Sequence, residues 1–575
     1  MNTVITFTRR ALLLIFLAGG ITACKDTGGD TGGDTGGGSG SILVFGTTSG
    51  FVTTITAEIE AVATDLRNNS AKYLKQIIPF SGSTSYSLAA IRTEYAHALG
   101  LKGSGQIISI RDAGFNPSHV EMQGKVLYFG VDVGFENITY DAHGTAVAGL
   151  AAGSEDFGET LGVAPDAALH LSSWWDETEA HAVNRAIELG AIVQNNSWAY
   201  VCELQSLGEC GVNTPDNLNI VTAEYLSALQ AYAGNVGVVV FAMSNETAQT
   251  QATVMAALPM FYPELEEGWL AVINLSRDYV ASIDDFDDTN VQLWSTGCFE
   301  AARWCIAADG FSYVATGDGS TSNDQYIVGD GTSYASPRIS GAIAILAEAF
   351  PNLAPTELRN RLLATADNNF FDPTWATLDV LEFSGGITHT YDEIYGHGFA
   401  DLRAALLPIG ATTTLNNNNK SFEVGVVALA AGGASGDAVM QAMSKIELLA
   451  TDQMGGDFDV SGVSIASQII MDSSLNQALS SLVKSDLGAE RRSRSYIPDS
   501  AEYTQAQPYG SPQAYGRGMR LFDAYSGNEF EMLVGNTLDV SLMLPMQGGR
   551  AAAVGVTHTS EIENGALKVG LSSVF

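Results

Sequence analysis

Positive charge is scarce in this chain. It has 27 Lys and Arg against 64 Asp and Glu, a formal net charge of −37 over 575 residues. A nucleic-acid partner needs a basic footprint, so that class is excluded. The same deficit argues against electrostatic adhesion to anionic lipid. What it leaves is a soluble, strongly acidic surface. Cysteine is rare, at five. None of the spacings is Cys-x-x-Cys and no histidine lies near, which disfavours a zinc site. The apolar run at 11–18 is too short to cross a bilayer as a mature helix. Gly-x-Ser-x-Gly and the order Ser, Asp, His are both missing, which sets aside a serine esterase. The acidic run Asp284-Asp-Phe-Asp-Asp288 lacks EF-hand spacing, so a solvated loop is the reading there. No metal and no cofactor are expected.

What is present is a set of three polar residues among small ones. His143 stands in Asp-Ala-His-Gly-Thr-Ala-Val-Ala-Gly (141–149) and Ser333 in Gly-Asp-Gly-Thr-Ser-Tyr-Ala-Ser-Pro (329–337). Upstream, the β-branched stretch 106–111 ends in Asp112 and a glycine turn. A serine hydroxyl is a poor nucleophile at neutral pH. It needs a base beside it and a group that orients the base. Taken singly, each motif is bland. A lone Gly-Thr-Ser is usually a loop, and a lone histidine among small residues is usually packed in a core. His97, in an apolar-periodic stretch, is read as filler. The ordered set Asp112, His143, Ser333 is much harder to obtain by chance.

That order, with His-Gly-Thr-x-Val-Ala-Gly and Gly-Thr-Ser-x-Ala-x-Pro, resembles the subtilisin-like serine proteases, or subtilases, over residues 87–410. Gly-Val-Ala-Pro (162–165), Asn-Asn-Ser-Trp (195–198) and Ala-Met-Ser-Asn (242–245) add to the resemblance. It departs at Ala113, where the family usually has Ser or Thr. The resemblance implies a serine endopeptidase acting through an acyl-enzyme on protein or peptide substrates. Asn245 and the Ser333 backbone N–H would be the oxyanion donors. Ser197, Trp198 and Ala199 would pair with substrate as an added strand. Ala242, Met243 and Ser244 would form the facing wall. The family has Gly where Ser244 stands, so this residue would narrow the primary pocket. Subtilases often bind Ca²⁺, but no motif here supports it. The competing function is an adhesin or binding passenger that keeps the fold with weak catalysis.

The first 23 residues read as an export signal, with Arg9 and Arg10 before the apolar run. The run ends at Ile-Thr-Ala-Cys24, which resembles a bacterial lipoprotein signal with Cys24 as the acylated residue. A membrane would then be a partner through the lipid anchor, at the outer membrane or surface of a Gram-negative-type cell. Residues 24–40 are a Gly/Asp/Thr tether. Residues 41–86 are an N-terminal extension or a short pro-segment. Cys202 with Cys210, and Cys298 with Cys305, are close pairs suited to local disulfides in an oxidising compartment.

Strand-like and helix-like runs alternate from 107 to 241: strands at 107–110, 168–171, 192–193 and 236–241, helices at 143–152, 177–189 and 222–233. A helix is also predicted over 87–99, with Leu88, Ile91, Tyr95 and Leu99 on one face. The alternation predicts an α/β fold, a subtilisin-like three-layer domain with a mainly parallel sheet. Active sites of such sheets lie at the carboxyl ends of strands. Asp112 and Asn245 both follow strand-like runs. The run 339–350 is apolar nearly all round and should be a buried helix, with Pro337 in its first turn.

Tyr-Gly-His-Gly (395–398) resembles the element that closes catalytic domains in the autotransporter-type branch. Residues 411–519 read as linker and mixed sequence. Residues 520–575 alternate in the manner of β-hairpins, with Asn564-Gly565 as a turn. A membrane barrel needs at least about eight strands of about ten residues. The segment can supply only about four or five. It is either a soluble β-rich appendage or the stub of a truncated or oligomeric translocator.

Overall fold

The structure is a computed structural model. It describes residues 55–80, 83–130, 141–199, 221–279, 286–317, 322–415, 421–423 and 447–461, with the strand segments 504–506, 517–523, 528–534, 539–543, 553–562 and 565–574. Cys24, Cys202, Cys210 and residues 284–285 lie outside the described residues, as does the side chain of Asp288.

Two helices, α1 (Ala57–Asn69) and α2 (Ala71–Lys75), open the described chain. A hairpin of β1 (Ile77–Phe80) and β2 (Ser83–Tyr86) follows, then α3 (Thr93–Ala98). The alternating part begins with β3 (Ile107–Asp112), β4 (Val126–Phe129), α4 (Ala142–Ala152) and β5 (Ala168–Ser173). It continues through α5 (Glu179–Leu189), β6 (Val193–Asn196), α6 (Ala223–Tyr232), β7 (Val238–Ala242) and β8 (Trp269–Tyr279). Next come β9 (Phe286–Leu293), β10 (Cys305–Ala308), the hairpin of β11 (Ser312–Thr316) and β12 (Gln325–Gly329), α7 (Thr332–Ala349) and α8 (Pro355–Ala364).

Seven strands form a parallel sheet in the order β10-β8-β7-β6-β3-β5-β4, and β9 adds antiparallel to β8. Side chains alternate across a strand, so each strand feeds two cores. Val238 and Val240 of β7 join Val147, Ile339 and Ile343 on one face. Val239 and Phe241 join Val183, Tyr225 and Leu229 on the other. Helices α4 and α7 thus cover one face and α5 and α6 the other, giving the three-layer α/β arrangement read from the pattern. Toward the C-terminus the pairings are antiparallel: β-strands at Arg517–Asp523 and Asn528–Val534, and at Ala553–Ile562 and Gly565–Val574. No described helix is long and apolar enough to cross a membrane.

Two local readings need correction. The expected helix over 87–99 is broken. A 3₁₀ turn at Ala89–Ile91 ends at Arg92, whose φ of 58° is left-handed, before α3 begins. Leu88, Ile91, Tyr95 and Leu99 are nonetheless all buried, so burial of the apolar set prevails over helical continuity. Pro337 is not in the first turn of its helix. α7 starts at Thr332, which puts Pro337 inside it. The missing N–H would have bonded to the carbonyl four residues back, that of Ser333. Ser197 Oγ donates to that carbonyl instead, at 2.8 Å.

Residues 55–86, which the sequence pattern leaves open, fold as two helices and a hairpin. Cys298 and Cys305 form a disulfide around the 3₁₀ turn Phe299–Trp304, just before β10.

Candidate active site

Asp112 is the last residue of β3 and is fully buried. Its Oδ1 accepts from Ala113 N at 2.7 Å and faces His143 Nδ1 at 2.7 Å. Its Oδ2 is buried with no partner among the described residues. His143 is the second residue of α4. Asp141 caps that helix, its Oδ1 accepting from His143 N at 2.7 Å. Thr145 Oγ1 ties the same turn to the loop after β3. It donates to Asp141 O at 2.7 Å and accepts from Asn116 N at 2.8 Å.

Gly144 explains how the two elements come so close. A Cβ there would meet Gly114 O at 2.1 Å and Phe115 Cε1 at 2.9 Å. The contacts include fixed backbone, so a side chain would push α4 away from β3. Gly144→Ala should therefore lower kcat/KM of the proposed peptidase activity on the order of 10²-fold, the cost of misplacing a reacting group by about 1 Å. Steady-state kinetics on a peptide substrate checks this, and an unchanged rate would show that α4 repacks without cost.

The histidines differ in kind. Burial alone penalises a charged imidazole. It holds His97 down to about 4 and His170 down to about 3, and it also lowers His119, His389 and His397. At His143 burial acts in the same sense, but the Asp112 carboxylate outweighs it, with Asp141 adding to the effect. His143 is therefore raised above the ordinary histidine value. His97, read from the sequence as filler, is a satisfied core residue. Its ring faces Tyr73 Oη at 2.8 Å and Val163 O at 2.9 Å.

Ser333 is the second residue of α7. Its N–H is among the first four of the helix and has no acceptor inside it. Its hydroxyl donates to Ser197 O at 3.3 Å rather than to His143. The neighbouring Tyr334 ring stacks on the His143 ring with centroids 6.0 Å apart, which brings the two helix starts together.

Asn245 follows β7. Its Oδ1 accepts from Thr332 N at 2.8 Å and from Thr332 Oγ1 at 3.0 Å. Holding Oδ1 in this way leaves the amide nitrogen, a donor, for other use. Gly331, with φ of 141°, lets the chain pass this close: a Cβ there would lie 3.1 Å from Asn245 Oδ1.

The expected wall residues are placed at the carboxyl ends of β6 and β7. Ser197 Oγ accepts from Asn195 Nδ2 at 2.9 Å, so its hydroxyl and carbonyl both serve Ser333. Trp198 Nε1 donates to Asn196 Oδ1, and its ring packs edge-on against Trp174 and Phe241. Ala199 follows directly. Ala242 ends β7, the Met243 carbonyl accepts from Thr332 Oγ1 at 2.7 Å, and the Ser244 carbonyl accepts from Thr296 N at 2.9 Å.

The motifs by themselves do not reveal Asp141, Thr145 and Tyr334, which hold His143 in place. An Asp two residues before an apolar helical run is the available signal for Asp141. Nothing local marks Tyr334. Among the described residues no group of three or more His, Cys, Asp or Glu is gathered to hold a metal.

An extracellular serine protease of Serratia marcescens is 25% identical over 338 residues, covering 49% of this chain and 31% of that protein. Subtilisin DY of Bacillus licheniformis is 27% identical over 285 residues, covering 49% of this chain and 91% of the relative. The autotransporter lipoprotein NalP of Neisseria meningitidis serogroup B is 24% identical over 237 residues, covering 36% and 21%. The chain thus spans less than a third of the length of the Serratia and Neisseria proteins. The family model described as the subtilase family matches residues 103–398, just over half of the chain. The match takes in β3, α4, β7 and the start of α7, and this chain belongs to the subtilase family.

Proposed function

We propose that the chain is a serine endopeptidase in which Ser333 is the nucleophile, His143 the base and Asp112 its orienting group. The observation that carries this is the 2.7 Å contact between the buried Asp112 carboxylate and Nδ1 of the half-buried His143. It fixes the imidazole with Nδ1–H toward the carboxylate and leaves Nε2 basic. On this reading Ser333 Oγ leaves the Ser197 carbonyl, to which it donates at 3.3 Å, and turns to His143 when substrate binds. Catalytic hydrogen bonds are often loose before substrate is present.

Ser333 Oγ then attacks the scissile carbonyl carbon as its proton passes to His143 Nε2. The tetrahedral oxyanion is stabilised by the Ser333 N–H and the Asn245 amide. The C–N bond breaks and the imidazolium hands its proton to the leaving amine. Water repeats the sequence to release the acyl group. The dipole of α7, an 18-residue helix, adds positive potential at its N-terminus. Residues 197–199 and 242–244 flank the substrate, which lies between the ends of β6 and β7. Ser244 narrows the primary pocket.

The site belongs to an exported protein in this reading. The Serratia relative is named extracellular and the Neisseria relative an autotransporter lipoprotein. Residues 1–23 would be the export signal and Cys24 the lipid-bearing residue of a surface-anchored enzyme. The second cysteine pair, Cys202 and Cys210, would be a disulfide. The C-terminal strands would not close a membrane barrel alone.

A fluorophosphonate probe tests the reading. The purified protein should label, and peptide mapping should find the adduct on Ser333. Labelling should fall in acid, because the base must be neutral to take a proton. Asp112 raises His143, so the midpoint of that fall should lie above the ordinary histidine value. Absence of labelling at pH 8, or a midpoint below that value, would count against the assignment.

A further inference from the structure

Arg338 lies five residues beyond Ser333 on α7 and is fully buried. A buried guanidinium persists only where acceptors surround it. Here its Nη2 donates to Gln76 Oε1 at 3.1 Å, Ser87 Oγ at 2.8 Å and Ser312 Oγ at 2.8 Å, while Nε and Nη1 have no partner among the described residues. Two of these three acceptors come from the N-terminal segment. The nearby carboxylate, Asp309, is held by the same segment, accepting from Ser85 Oγ at 2.6 Å. Gln76 is fixed in turn. Its Nε2 donates to Tyr313 O at 2.9 Å and its carbonyl accepts from Ser87 Oγ at 3.3 Å.

The remainder of the segment is seated just as firmly. Ile59, Ala63 and Tyr73 are buried in the core that also holds Ile339 and Ile343 of α7. Arg67 pairs with the buried Glu94 at 3.0 Å. Lys72 Nζ donates to the carbonyls of Ser154 and Phe157, in the loop that leaves α4. The segment therefore reaches both the helix that carries Ser333 and the loop behind the helix that carries His143. Stripping it away would leave Arg338 with one acceptor and open a core face. A removable pro-segment would not be expected to supply two of the three acceptors of a guanidinium buried in the enzyme's central helix.

We propose that residues 55–88 are a retained part of the working enzyme and position Ser333 through Arg338, instead of being removed on maturation. This rests on the serine-endopeptidase reading above. Arg338, Gln76 and Ser87 are positioning residues and touch no substrate.

Two measurements on the full chain test it. Intact mass and N-terminal sequencing of the fluorophosphonate-labelled species should place its first residue at or before residue 55. An active, labelled species that begins after residue 88 overturns the proposal. In the second, the double variant Q76A/S87A should lose kcat on the order of 10- to 100-fold, with KM little changed and labelling slowed in proportion. Thermal melting shows that the variant is folded at the assay temperature. If it is not, Gln76→Ala and Ser87→Ala are measured singly. Unchanged kcat and labelling rate in a folded variant overturn the proposal. A wild-type chain that never labels defeats the enzyme reading and this proposal with it. Labelled wild type with an unaffected variant defeats this proposal alone.

Discussion

Ser333→Ala should reduce peptide hydrolysis about 10⁶-fold and abolish fluorophosphonate labelling. The magnitude is the one known for removal of the serine in subtilisin, a family relative, and is carried over to this chain. The physical basis is that, in the proposed mechanism, the Ser333 hydroxyl is the group that forms the acyl-enzyme. Ser197, the nearest hydroxyl to Ser333 in the hydrogen-bond pattern, is engaged with the Ser333 carbonyl and Asn195. Residual rate over water would come from the oxyanion donors and from substrate binding. The substitution removes one hydroxyl from a partly buried helix start, so the fold should persist, which circular dichroism checks. A variant that still cleaves casein at the wild-type rate would assign the activity to another residue. The test is sharpened by Asp112→Asn, which keeps the shape but favours the wrong imidazole tautomer, with an expected loss of about 10⁴-fold in kcat.

Asn245→Ala should lower kcat about 10²–10³-fold while KM changes little, as removal of one oxyanion donor does. This magnitude too was established on subtilisin and is applied here by family likeness. The geometry offers a way to separate donor chemistry from anchoring. Asn245 Oδ1 accepts both from Thr332 N and from Thr332 Oγ1. Asn245→Asp keeps an acceptor at that position and replaces the amide N–H with a second oxygen. If the residue acts as a donor to the oxyanion, Asp should be no better than Ala, since a carboxylate repels developing negative charge. If it acts only by anchoring the start of α7, Asp should recover most of the rate. Recovery by Asp would remove Asn245 from the oxyanion role and leave Ser333 N–H without a protein partner in it.

Much of this architecture is local in origin and is legible in the chain itself. The alternation of β-branched and helical runs from 107 to 241 encodes a sheet fed on both faces, because side chains of successive strand residues must find two cores. The ordered motifs around Asp112, His143 and Ser333 carry their chemistry in residue type. Their placement at strand and helix ends follows from glycine turns and caps. The neighbours of Asn245 are readable for the same reason.

Tertiary structure decided what depends on partners far apart in the chain. Whether a histidine is raised or lowered is not written near it. His143 and His97 each have an alanine directly before them, but of the two only His143 meets a buried carboxylate, one 31 residues upstream. The break at Arg92 arises because packing of Ile91 and Tyr95 outweighs helical continuity. The Ser333 carbonyl is freed by Pro337 and claimed by Ser197, a residue on another strand end 136 positions away. The extension at 55–88 resists assignment by pattern because it carries none of the motifs that mark the catalytic part, and what it packs against lies far along the chain. Its meaning lies in Gln76 and Ser87, whose partner Arg338 is 262 and 251 residues distant. Periodicity reports which face a residue presents, and residue type reports what chemistry it offers. Only the packed fold brings a guanidinium and its acceptors together, because desolvation makes a buried charge depend on every neighbour it has.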